Sequence, residues 1–199
     1  MTDRRRPAPG HDRPLRTDAA RNRQALLVAA SDVFAELGTD ASVAQIAARA
    51  GMGKATVFGH FPSKETLLTA IVTDEVDRLV AAGEQLPGDL EPGPALLAFM
   101  KLQVDRYAAN RAFIEILREA GAAERPEIRA QVERLAEACR PLIRRAQESG
   151  AARSDLSALD VVLLACGVYS AAESLLDHEP GACERYLHAV FEGIATTSG

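Results

Sequence analysis

The 199-residue sequence predicts an all-α fold of about nine helices in two parts, and three observations predict it. Apolar residues recur at three- and four-residue spacing along most of the chain, with no strand-like alternation. Gly, Pro and Ser/Thr/Asp residues punctuate these stretches where helices should stop and start. Hydrophobic residues make up 47% of the chain, enough to build a sizeable core.

Residues 1–16 are rich in Arg, Pro and Asp and nearly free of apolar side chains, so they predict a disordered basic arm carrying Arg4, Arg5, Arg6, Arg13 and Arg16. Thr17 or Asp18 would cap the first helix. Its stripe is Leu26, Leu27, Ala30, Val33, Phe34 and Leu37, and Gly38 would end it. Residues 42–64 follow and organise the rest. Ser42 with Gln45 three residues later forms a capping box. Val43, Ile46, Ala47 and Ala50 share one helical face, and Gly51 can take the left-handed conformation that closes a short helix. A second short helix is expected over 54–60, with Val57 and Phe61 turned inward and Pro62 as its stop.

A long helix then runs from Ser63 to about residue 86, broken by PGDLEPGP at 87–94. Further helices are expected over 95–109, 111–120 and 126–149, the last interrupted by Pro141, which should kink it. Ser157 and Asp160 start an almost wholly apolar helix to residue 176. Small residues Ala165, Gly167, Ser170, Ala171 and Ala172 permit close approach along it. A final helix at 180–196 carries Cys183, Leu187, Val190, Phe191 and Ile194. The division implied is an arm at 1–16, a small helical unit at 17–66 and a helical body at 67–199.

Net charge is −5, but residues 1–66 sum to +3 and residues 67–199 to −8. That asymmetry suggests a basic nucleic-acid module on an acidic body. No apolar block follows the N-terminal arginines and no run of 18 apolar residues occurs, so neither a secretory signal nor a membrane span is expected. Cys139, Cys166 and Cys183 are widely spaced in apolar helical contexts and read as reduced core residues of a cytoplasmic protein. Catalytic inventories come out empty. There is no Gly-rich phosphate loop, His11, His60, His178 and His188 are scattered, and neither Cys139 nor Cys166 has a positioned base in the sequence. No enzyme activity, metal or cofactor is expected.

Two short helices joined by a tight Gly-containing turn make a helix-turn-helix, whose second helix fits the DNA major groove. Thr56, Gly59 and His60 would leave its outer face thin and mostly uncharged. Lys54 and Lys64 fall near helix N-termini, where the helix dipole disfavours a cation unless a phosphate binds there.

The segments IAARAGMGKATVFGHFPSKETLL and ALLVAASDVFAELG resemble the DNA-binding part of the TetR family of bacterial one-component repressors, over about residues 22–68. The resemblance implies roles residue by residue. Lys54 and Lys64 match phosphate-holding positions, Thr56 the groove-facing start of the recognition helix, and His60 a phosphate-contacting position. Met52, Gly53 and Ala55 lie in the turn and the first recognition turn, and Val43 at the start of the preceding helix is counted with them. Phe58 stands where the family usually has Tyr, Gly59 where many relatives carry a polar base reader, and Gly53 where a Ser cap is usual. These departures imply less direct base readout. The alternative for Phe58 is simple packing.

The resemblance also implies a palindromic double-stranded operator, a homodimer through the last two helices, and release of DNA by a small hydrophobic ligand. Candidate pocket residues are Phe99, Gln103, Tyr107, Phe113, Leu117, Cys139, Cys166 and Tyr169. Gln103 and Tyr169 stand out, because a polar group on an apolar face needs a partner. The competing reading is a helical small-molecule carrier that has lost DNA binding, supported by Gly53, Phe58 and Gly59.

Overall fold

The computed structural model describes residues 12–119, 124–175, 179 and 181–195, with the backbone alone described for 12–17. The arm up to residue 11, His178 and residues 196–199 therefore lie outside the described residues. Nine α-helices occur among the described residues, and no strand.

Helix α1 (Asp12–Leu37) begins five or six residues before the expected caps at Thr17 and Asp18. Pro14 falls in its first turn, where a missing N–H leaves no intrahelical bond unmade. Leu26, Leu27, Ala30, Val33 and Phe34 are buried as expected, but Leu37 is 53% exposed, because the chain turns away at Gly38 (φ +76°). Helix α2 (Val43–Arg49) and α3 (Lys54–His60) form the helix-turn-helix, and α4 (Lys64–Glu84) leaves it for the body. Ser63 caps α4 through a capping box with Thr66. Leu67, Leu68, Ile71, Val72, Val76 and Leu79 bury the inner stripe of α4.

In the body, α5 (Pro92–Ala109) starts three residues earlier than expected, with proline in its first turn. Helix α6 (Arg111–Arg118) is capped by Asn110, whose side chain accepts from the Phe113 amide. Helix α7 (Pro126–Glu148) runs unbroken through Pro141, which is exposed. Helix α8 (Ala158–Ala172) has a capping box from Ser157 and Asp160, then passes into a 3-10 turn, Glu173–Leu175, ahead of the expected end at 176. Helix α9 (Ala182–Ile194) closes the described chain.

One apolar core runs from Leu26 to Ile194 through both parts. Helix α8 lies at its centre, against α5, α7 and α9, while α1 packs on α2, α4 and α6. Contrary to the sequence expectation, segment 158–175 is long and apolar enough by composition to cross a membrane. Here Val161, Val162, Ala165, Val168, Tyr169 and Ala172 are spent on the core instead.

Candidate DNA-reading surface and body cavity

The reading surface is fixed by local bonds. Ser42 Oγ accepts from the Gln45 amide at 3.3 Å, and Gln45 Oε1 accepts from the Ser42 amide at 2.8 Å. Gly51, at φ +65°, turns the chain, and the Met52 amide donates to Ala47 O at 2.9 Å. Val57 and Phe61 are buried and hold α3 to the core. That leaves Gly53, Lys54, Ala55, Thr56, Phe58 and Gly59 exposed on one surface, with Val43, Met52, His60 and Lys64 half-buried at its edge.

Phe58 is 47% exposed, so about half of the residue remains open on this face. An exposed phenyl ring on a groove-sized face suits the methyl group of thymine or a sugar edge. A Cβ at Gly59 would meet nothing within 4 Å, and one at Gly53 only Thr56 Oγ1 at 4.0 Å. The fold therefore does not require glycine at either position, and both leave the backbone open to close approach.

Two supports were not apparent in the sequence. Arg49 donates to Glu36 through both terminal nitrogens, at 2.9 and 2.5 Å, pinning α2 against α1. The Arg23 guanidinium lies 5.0 Å over the Phe61 ring. Neither pair is signalled by spacing along the chain.

In the body, an apolar cavity of about 320 Å³ opens among α4, α5, α6, α7 and α8. Tyr107, Phe113, Leu117 and Cys166 line it, as do Val76, Ile128, Val132, Leu135, Val162 and Leu163, which sequence reasoning did not select. Arg129, Glu133 and Leu159 complete the lining. Four other candidates lie elsewhere in the core. Phe99 packs beneath Gly83, where an added Cβ would come within 2.6 Å of its ring. Cys139 is buried, and burial pushes its thiol up to about 12. Tyr169 donates to Glu173 Oε1 at 3.4 Å, and burial, then the Glu173 charge, raise its phenol to about 12. Gln103 is fully buried behind Tyr107, whose hydroxyl donates to its Oε1 at 3.1 Å.

A larger groove of about 460 Å³ runs between α7 and the start of α8, lined in part by Glu137, Arg140 and Arg144. It is open and charged. The smaller cavity has the more apolar lining of the two, the character of a small-molecule site.

A buried carboxylate ties α4, the helix that leaves the helix-turn-helix, to the end of α5 and the cap of α6. Glu75 on α4 is 1% exposed and accepts from Arg106 Nε at 2.6 Å, Arg106 Nη2 at 2.8 Å and Asn110 Nδ2 at 2.9 Å. Asn110 is also the cap of α6, which carries Phe113 and Leu117 into the cavity and packs against α1. This cluster was missed, although Glu75 sits on the buried stripe of α4 between Ile71 and Leu79 and so was legible as a carboxylate needing partners.

A capped helix-turn-helix with an exposed second helix, set on a helical body with an apolar cavity, defines a DNA-binding protein of the helix-turn-helix class. Comparison with known proteins narrows the class. Residues 26–71 match the family described as bacterial regulatory proteins, tetR family, and residues 91–196 match the one described as transcriptional regulator SbtR-like, C-terminal domain. A curated relative, the HTH-type transcriptional activator FasR of Mycolicibacterium smegmatis, is 33% identical over 137 residues, 68% of this chain. The chain spans 63% of that relative's length. A TetR transcriptional regulator of Streptomyces coelicolor, SCO0520, superposes with TM-score 0.61 at 29% identity, covering 88% of this chain and 99% of that one. A TetR regulatory protein from Mycobacterium vanbaalenii gives 0.58 at 31% identity, covering 92% and 100%. The chain belongs to the TetR family.

Proposed function

We propose that this regulator binds a palindromic operator as a homodimer through Val43, Met52, Gly53, Lys54, Ala55, Thr56, Phe58, Gly59, His60 and Lys64, and is released when a small hydrophobic ligand fills the body cavity. Residues 17–66 form the reading unit and residues 67–199 the ligand-binding and dimerisation body of a cytoplasmic protein. The observation that carries this reading is the apolar cavity, walled by α6 and α8 and tied by Asn110 and Glu75 to the helix that leaves the reading unit. A ligand that displaces Phe113 and Leu117 shifts α6 against α1 and strains the bonds at Glu75.

Helix α8 supports the dimer. Val168 faces the core, so it is not the contact the helix offers to a partner. Leu159, Leu163, Gly167 and Ala171 are exposed at four-residue spacing, and Val190 and Phe191 on α9 are half-buried. Such a stripe pairs with its own copy in a four-helix arrangement. Leu159 and Leu163 also line the cavity, so pairing and ligand binding share residues.

Repression is the reading proposed for the effect on transcription. The name of the FasR relative, an activator, favours the opposite sign as the second reading. Selection of duplexes from random DNA with the purified protein, followed by transcription from a promoter carrying the selected site, tests both. Repression expects less transcript with protein present, and more transcript supports activation. Failure to enrich any sequence supports the carrier reading.

A further inference from the structure

Besides the charged pair Arg129 and Glu133 on α7, the polar side chain in the cavity wall is Tyr107 on α5. Its hydroxyl donates to Gln103 Oε1 at 3.1 Å, one turn back along α5. Gln103 is fully buried, and among the described residues its Nε2 has no partner. Turning the amide over does not cure this. Nε2 would then give one proton to the phenol oxygen, leaving its second proton and the phenol proton unused. In either arrangement the pair holds two donor protons without an acceptor. The ring cannot swing away freely, because it stacks on Phe113 at 5.4 Å and meets Tyr169 edge-on at 6.5 Å. Burial pushes the Tyr107 phenol well above its ordinary value, so it remains a donor. Arg129 is the one cation among the lining residues, and it is exposed, 3.9 Å from Glu133 on the same helix.

We propose that the cavity selects a compact, uncharged, mainly apolar molecule with a carbonyl oxygen, of the ketone, ester or lactone class, through a relay from the Gln103 amide to the Tyr107 hydroxyl to that oxygen. This rests on the reading of the cavity as the ligand site. Gln103 need not line the cavity for the relay to work. Once the ligand oxygen accepts from the phenol, the turned amide supplies the phenol oxygen with a donor, and the two bonds reinforce each other. A carboxylate beside Tyr107 would be desolvated, and the one lining cation, Arg129, already has Glu133 at 3.9 Å.

The test uses the full chain and three probes of similar shape: butyrophenone, n-butylbenzene and 4-phenylbutyrate. Binding is measured to the wild type, to Tyr107→Phe and to the double variant Tyr107→Phe/Gln103→Leu. The ratio of ketone to hydrocarbon affinity should fall about tenfold in both variants, the loss of one hydrogen bond. The anion should bind the wild type more weakly than the ketone. The infrared carbonyl band of bound butyrophenone should lie lower in frequency with the wild type than with Tyr107→Phe. The double variant, which removes both polar partners together, should unfold at no lower temperature than the wild type. Equal ratios in all three proteins, or an unshifted carbonyl band, overturn the relay and leave the cavity reading standing. Binding of none of the probes overturns both.

Discussion

The reading surface and the body cavity are built on opposite plans. Lys54, Thr56, Phe58 and Lys64 come from eleven consecutive residues, and the first three are exposed. The cavity draws on five helices, from Val76 to Cys166, and Tyr107, Phe113, Ile128 and Val162 are buried. On the surface, a side chain can change without disturbing the fold. In the cavity, Val76, Tyr107, Phe113, Ile128, Leu135 and Val162 are also the core. The two proposed sites therefore differ in what a substitution costs the fold, and Glu75 ties α4, the helix between them, to α5 and to the cap of α6.

The strongest attempt to break that separation is Leu163→Glu. Leu163 is 53% exposed, so the subunit should fold, but the charge falls on the face proposed to pair. Light scattering should show a monomer, and operator affinity should fall by about a hundredfold or more as two linked contacts become one. Glu75→Gln comes next. Losing one partner of a buried ion pair costs about 3–5 kcal/mol. The Arg106 side chain is 31% exposed, however, and water screens what it loses. A loss of about 1–3 kcal/mol is therefore expected in urea unfolding. The same variant should weaken the dependence of DNA release on ligand, which Thr56→Ala should not.

Legibility follows the same divide. The caps at Ser42, Ser63 and Ser157 were readable because a capping box is a three-residue rule. The end of α3 followed from Pro62, which cannot continue a helix. Exposure was harder. The sequence left Phe58 between packing and DNA, and placed Leu37 in the core, because a helical stripe gives a face but not where the neighbouring element ends. Helix α1 starts earlier than the Arg- and Pro-rich composition of residues 1–16 suggests, since a proline such as Pro14 can sit in a first turn. Of the cavity candidates, Tyr107, Phe113, Leu117 and Cys166 line it, whereas Phe99, Gln103, Cys139 and Tyr169 do not. Which apolar residues border an empty space depends on how α4 to α8 pack, and no spacing along one helix encodes that.

Smaller effects sharpen the contrast. Thr56→Ala should lose up to about 1–3 kcal/mol on the selected operator and less on random DNA, with unfolding changed by less than about 0.5 kcal/mol. Equal loss on both duplexes would assign Thr56 to the DNA backbone. Lys64→Ala should weaken all duplexes alike and reduce the slope of log affinity against log salt by about one. The smallest effect belongs to the core. Burial pushes the Cys139 thiol up to about 12, so at pH 8 it stays protonated and unreactive. Iodoacetamide followed by mass spectrometry should find it labelled after the half-buried Cys183.

The central claim is that pairs of this chain read a DNA sequence through α3. Sedimentation of the protein with a duplex enriched by selection, beside a scrambled duplex of the same length, tests it most directly. The account predicts two chains on each selected duplex and an affinity about 10³-fold or more above that for the scrambled one at physiological salt. One chain per duplex, or equal affinity for both, would contradict it.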